Sequence, residues 1–308
     1  MLCILYVNVV GMCLGLIGLL TERVLPAAWS RRWLWCLVIT TSMVIPPIYR
    51  ARHASSVTAM FEREAEQPLF GHVIGAVSTA ALDPRWWTRV ESWGTIIEQV
   101  WLVASSALIV WGLASALRVA QLVWRARRDQ RATGNPTVVD GVPVVITDGV
   151  GPATVGLLRS RVLVPRWVLA LPSVQRRYVL RHEQEHARAH DALLLFVASL
   201  PLVLMPWNLA LWWQLRRLCL AIEMDCDNRV VAELGDATAY GELLLRIAQA
   251  TSRGPRLQPA FLGGMGSLER RLVGLLAPAP LRYVQRVLLP ALALGLLLLV
   301  LSMPHPVR

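Results

Sequence analysis

The chain has 308 residues, of which 55% are apolar and 17% charged, and carries a formal net charge of +11. That apolar excess excludes an ordinary soluble enzyme and points to a bilayer. The positive charge comes wholly from arginine, without one lysine, and no nucleic-acid-reading motif accompanies it, so direct nucleic-acid binding is not expected.

Four runs are predicted to cross a membrane: Met1 to Leu20, Trp33 to Tyr49, Val100 to Leu117 and Val287 to Met303. At a rise of about 1.5 Å, roughly 17–20 helical residues reach the thickness of the hydrocarbon layer. The first run lacks a basic leader and a small-residue cleavage site, so a retained anchor is expected. Orientation follows from the arginines at the ends of the runs. Twelve lie on one side: Arg23, Arg31, Arg32, Arg118, Arg125, Arg127, Arg128, Arg131, Arg270, Arg271, Arg282 and Arg286. Five lie on the other, at Arg50, Arg52, Arg85, Arg89 and Arg308. The positive-inside bias then puts the amino terminus outside, residues 118–286 in the cytosol, and a short tail outside at the inner membrane of a cell. The external loop, about 50–94, holds Trp86-Trp87 as an interfacial anchor. None of the five cysteines (Cys3, Cys13, Cys36, Cys219, Cys226) falls in it, so no disulfide framework is expected.

The chain thus divides into three parts: residues 1–117 with three spans, a cytosolic unit over 118–286, and residues 287–308 with the last span. The cytosolic unit opens on a turn at Gly134 to Pro136. Strands are predicted over Val142 to Thr147 and Val162 to Val164, and a helix from Ser173, with Ser173 as its cap.

That helix contains His182-Glu183-Gln184-Glu185-His186. A helix puts His182 and His186 one turn apart on one face, where both imidazoles reach one metal ion. Glu183 between them is placed to act as general base on a water at an open coordination position. With six His and twelve Glu in the chain, chance supplies the pattern only about 0.005 times.

An open zinc site needs a third protein ligand. His190 and Asp191 follow too closely on the same helix to complete it, and Glu223 is the next candidate. Asp227, one turn beyond Glu223, can receive a ligand ring N–H and fix its tautomer. Cys226 is a soft donor nearby, read as a small packing residue. Between the histidines and Glu223 runs Ala192 to Trp213, apolar enough to cross. A single crossing would strand Glu223 on the far side of the bilayer. Pro201 and Pro206 should break the run, so a re-entrant or interfacial hairpin over 192–213 is predicted.

These features together resemble the BlaR/MecR-type membrane metallopeptidases, the antirepressor half of β-lactam-sensing systems. The likeness rests on Pro152 with Gly156, Val162 to Pro165, the histidine motif followed by Asp191, Pro206-Trp207, Glu223-X-X-Cys226-Asp227, and Leu268-Glu269-Arg270-Arg271-Leu272. It implies a mainly α integral membrane protein with four transmembrane helices and a cytosolic gluzincin-like α+β zinc metallopeptidase domain. It further implies zinc on His182, His186 and Glu223, catalysis by Glu183, and Asp227 and Asp191 behind the ligands. The substrate implied is a protein, either a cytosolic DNA-binding repressor or the enzyme itself. The known sensors continue into a penicillin-binding domain after the last span; the 308 residues here do not include one, so sensing by acylation is not expected of them. Arg229 and Tyr240 are candidates for stabilising an oxyanion. Two alternatives carry different expectations: an HtpX-like quality-control protease would cut many misfolded chains, and a non-catalytic membrane scaffold would hold no metal. The inducing signal and the oligomeric state are not written in the sequence.

Overall fold

A computed structural model describes residues 2–25, 29–45, 84–134, 137–148, 150–251, 265–276 and 283–302. In chain order these form α1 (Leu2–Val24), α2 (31–45), α3 (Pro84–Thr133), a small sheet, α4 (Arg166–Leu169), α5 (Ser173–Ala189), α6 (Asp191–Leu204), α7 (Leu209–Leu234), α8 (Ala237–Thr251), α9 (Met265–Leu276) and α10 (Tyr283–Ser302). The strands are β1 (Val138–Val139), β2 (Val142–Thr147), β3 (Ala153–Val155) and β4 (Arg161–Pro165), in spatial order β1-β2-β4-β3.

Among the described residues, α1 and α3 are long and apolar enough to cross a membrane, and the bent pair α5–α6 makes a third candidate if counted as one span. The other two expected spans fall on α10, helical over Tyr283–Ser302, and on α2. The apolar stretch of α10 is Leu288–Leu298, while α2 is described only to residue 45, with 46–49 outside the described residues. Helix α3 begins at Pro84, so 84–94 are helical rather than loop, and it continues to Thr133 through the whole arginine cluster. The expected loop residues 50–83 and the turn residues Asn135 and Pro136 lie outside the described residues.

The sheet joins β2 and β4 in parallel, Val144 opposite Val162 and Thr147 opposite Pro165, with the short strands antiparallel on either edge. Asp140 and Gly141 turn β1 into β2 with φ of +47° and +81°. Two left-handed residues in a two-residue loop match the twist of the flanking strands. Gly156 ends β3 at φ +104°, where a Cβ would lie 2.5 Å from the Arg159 carbonyl oxygen. No side chain is tolerated there.

Among the described residues, two hydrophobic cores organise the molecule. One gathers Val144, Ile146, Val162 and Val164 of the sheet with Tyr178, Val179 and Leu180 of α5 and Tyr240 and Leu243 of α8. The other gathers Val10 and Leu14 of α1, Trp35 and Ile39 of α2, Leu202 of α6 and Val300 of α10. Helix α7 belongs to both, giving Leu211, Leu215, Leu218 and Ile222 to the second and Cys226 and Val230 to the first. Spacings of three and four keep these six side chains on one helical stripe.

The segment between the histidines and Glu223 does double back. Helix α6 ends at Leu204, and Asn208 caps α7 by accepting from the Leu211 amide at 3.1 Å. Only Met205–Asn208 interrupts the helices. Pro201 sits inside the final turns of α6 without breaking it, contrary to expectation. Fourteen residues out and about fifteen back, each leg roughly 20 Å at the helical rise, return Glu223 to the level of Asp191. The tip is held by α1 and α3: Asn8 Oδ1 accepts from the Leu209 amide at 3.0 Å, and Trp101 Nε1 donates to the Leu204 carbonyl at 2.8 Å. Glycines let α1 approach α7. A Cβ on Gly11 would lie 2.9 Å from that of Ala210, and one on Gly15 would overlap the Trp213 ring.

Candidate metal centre

Helix α5 carries the histidines. It starts at Ser173 after Pro172, with no side chain capping it; Ser173 is its first residue rather than its cap. The Pro172 carbonyl instead accepts from the Arg176 amide at 2.9 Å. The helix ends at His190, which adopts a left-handed φ of +54°, and α6 leaves at 55°. That corner swings Asp191 back so that its Oδ2 lies 2.8 Å from Nδ1 of His186. His190 itself is exposed and faces the Arg188 carbonyl, away from the centre.

His182 and His186 present their Nε2 atoms to each other at 3.1 Å. Glu223, arriving on α7, places Oε2 3.5 Å from Nε2 of His182 and Oε1 3.7 Å from Nε2 of His186. Bonds of 2.0–2.1 Å in tetrahedral array require donor separations of about 3.3 Å. Each ring nitrogen therefore has its own Glu223 oxygen near that edge length, Oε2 for His182 and Oε1 for His186. The far edge of each imidazole is held as metal-binding histidines require. Asp191 holds His186, while His182 Nδ1 lies 3.0 Å from the Tyr240 hydroxyl and 3.4 Å from Asp227 Oδ1. Tyr240 donates to Asp227 at 2.7 Å.

Cys226 offers another donor: one ligand atom each from His182, His186 and Cys226 falls within 4.8 Å of the others. Its sulfur, however, lies 3.3 Å from Nδ1 of His182, the edge turned away from the meeting point of the two Nε2 atoms. That sulfur also engages His186, and Glu223 is the residue with an oxygen beside each Nε2 atom. Cys226 is still more than packing, because it is fully buried against an imidazole.

Charge is concentrated here. Arg271 from α9 forks onto Asp227, 2.7 Å from each oxygen, and bonds Glu223 Oε2 at 2.9 Å. Burial alone would raise the Glu223 carboxyl, but Arg271 and the two imidazoles outweigh it and hold it well below the carboxylate range. Burial likewise would depress His182; Cys226 and Glu223 overcome it and raise that ring to about 10.

Glu183 is buried and points to β3, the edge strand. The Thr154 hydroxyl lies 2.7 Å from its carbonyl oxygen and 3.0 Å from its Oε2. Neither candidate for oxyanion stabilisation faces the donors. Arg229 bonds Glu185 at 2.7 Å, and Tyr240 stands behind His182. Sequence reasoning missed Thr154, Arg32 and Arg271 as neighbours of the site. Arg271 stood in view within the quoted Leu268–Leu272 block, and Arg32 was read only as a topological charge.

Residues 1–275 match the family described as BlaR1 peptidase M56. The regulatory protein BlaR1 of Bacillus licheniformis is 25% identical over 154 residues, covering 48% of this chain and 26% of that relative.

Proposed function

This chain belongs to the BlaR1 peptidase M56 family, and from that premise we propose that it is a membrane-bound zinc metalloendopeptidase. The observation that carries the reading is the pair of Nε2 atoms of His182 and His186 3.1 Å apart with a Glu223 oxygen beside each, and a carboxylate behind each imidazole. In this reading the three residues hold zinc, and Asp191 and Asp227 fix the ring tautomers. The ion would supply Lewis acidity, acidifying a water and polarising the scissile carbonyl. Glu183 takes the water's proton and hands it to the leaving amine. Thr154 steadies its carboxylate, and the free edge of β3 accepts an extended substrate strand by backbone pairing.

The membrane arrangement proposed has α1, α2, α3 and α10 crossing the bilayer, the hairpin over 192–213 entering it from the cytosolic side, and the peptidase unit in the cytosol. Two of the twelve arginines behind that orientation, Arg32 and Arg271, are engaged in buried ion pairs; the remaining ten still outnumber the opposite five. A regulatory relative supports signalling as the role, with cleavage of a cytosolic repressor or of the chain itself as the output.

The test is zinc content and proteolysis in Glu183→Gln. The variant is expected to keep one zinc per chain and lose cleavage by about 10²-fold or more. Comparing cellular proteins between wild-type and variant strains then identifies the substrate: one accumulating protein fits a dedicated regulator, and many fit quality control. Normal turnover by the variant would remove the mechanism.

A further inference from the structure

Helix α2 begins inside the surroundings of the metal centre. Asp225, buried between Glu223 and Asp227 on α7, accepts from the Ser30 hydroxyl at 2.6 Å and from the Arg31 and Arg32 amides at 3.1 Å each. A carboxylate from another helix thus caps the first turn of α2, satisfying amides that have no partner within the helix. From that same turn Arg32 reaches Asp191 Oδ1 at 3.0 Å, while Asp191 Oδ2 holds Nδ1 of His186. The pair is 16% and 4% exposed, so solvent screens it little. Further along α2, Trp35 donates to Glu22 Oε2 at 3.0 Å and packs edge-on against Trp213 of α7.

We propose that Arg32 is a positioning residue for His186, acting through Asp191, and that the placement of α2 against α7 thereby sets the zinc affinity of the centre. The inference rests on the zinc reading above. With Arg32 in place, one Asp191 oxygen is neutralised and the other is aimed at the imidazole, so the ring keeps its proton on Nδ1 and Nε2 free for metal. Without Arg32, a buried carboxylate loses its cation and must rotate towards other donors, and His186 loses its fixed orientation. A shift of α2 along α7 has the same effect, because the cap on Asp225 and the ion pair to Asp191 come from one rigid turn. That makes α2 a mechanical input to the centre from the membrane-embedded core.

The experiment uses the full chain in detergent or nanodiscs, as wild type, Arg32→Met, Arg32→Lys and Arg23→Met. Arg23→Met removes the same charge from the last turn of α1, where Arg23 is exposed. Zinc affinity is read by chelator competition, ring orientation by the visible absorption of the cobalt-loaded protein, and folding by melting of the metal-free protein. Arg32→Met is expected to weaken zinc about 10–100-fold and to alter the cobalt spectrum. Arg32→Lys should recover most of the affinity, and Arg23→Met should match wild type. Wild-type zinc affinity and spectrum in a folded Arg32→Met overturn the proposal. Should Arg32→Met fail to fold, the comparison passes to Arg32→Gln, for which unchanged affinity is equally fatal. A wild-type chain that binds no zinc would instead overturn the zinc reading itself, a result distinct from a binding wild type and an equally binding variant.

Discussion

Arg271 and Asp227 meet in a two-pronged ion pair, Nε and one terminal nitrogen each 2.7 Å from a carboxylate oxygen, with Asp227 1% exposed. The third nitrogen reaches Glu223 at 2.9 Å. One side chain from α9 therefore braces both the carboxylate facing the metal position and the carboxylate behind His182.

Replacing Arg271 by methionine leaves the buried Asp227 and the partly buried Glu223 without their cation. Metal-free protein should lose about 3–5 kcal/mol of stability, and zinc affinity should fall about 10–100-fold. Melting of the metal-free form and chelator competition measure the two effects separately. Unchanged affinity would mean that Glu223 needs no brace.

The third donor can be decided directly. Glu223→Ala is expected to abolish stoichiometric zinc binding, whereas Cys226→Ala should keep it, with a modest loss of stability from the small cavity left behind. The opposite pattern would put the sulfur on the metal.

Gly15 tests the contact of α1 with the hairpin. Any Cβ there overlaps the Trp213 ring, so Gly15→Val should cost about 1–3 kcal/mol through overpacking. The thermal midpoint should drop while zinc per folded chain stays constant, since Trp213 packs in the core of α1, α2, α6 and α10 and not at the metal centre. A midpoint equal to wild type would show that α1 does not press on α7.

The sheet is tied to α5 by Asp140, whose oxygens accept from Arg176 at 2.7 and 3.1 Å. The Arg176 guanidinium holds the Asp140 carboxyl below its ordinary value. A depressed folded value means the stabilisation is present above the ordinary carboxylate range and disappears as pH falls through the folded value. The pair is partly solvated, at 21% and 30% exposed, so solvent screening keeps its contribution small. Arg176→Met should lower the thermal midpoint slightly at pH 6 and converge on wild type as the pH falls below the ordinary carboxylate range. A gap that persists at low pH would assign the loss to the bonds Arg176 makes to the Leu169 and Leu171 carbonyls.

Much of the centre was legible in the chain because helical spacing is a local rule. His182 and His186 share a face by being four residues apart, and Glu223 and Asp227 by the same arithmetic. The need to bring them to one ion implied that the apolar run between them turns back, and it does, at Met205–Asn208. Two local signals went unused: Asp140-Gly141 between valines, which marks the β1–β2 hairpin, and Gly11 with Gly15, which marks a close helix contact.

What only the tertiary structure decided is which side of each ring faces what. Periodicity ranks Glu223 and Cys226 as near neighbours on α7, but only packing turns the carboxylate to the Nε2 atoms and the sulfur to the Nδ1 edge. Arg32, Tyr240 and Arg271 join the same cluster from positions 159, 58 and 44 residues away from their partners. No spacing rule relates them, because their meeting depends on how two hydrophobic cores close on the shared helix α7, and that is a property of the whole fold rather than of any stretch of chain.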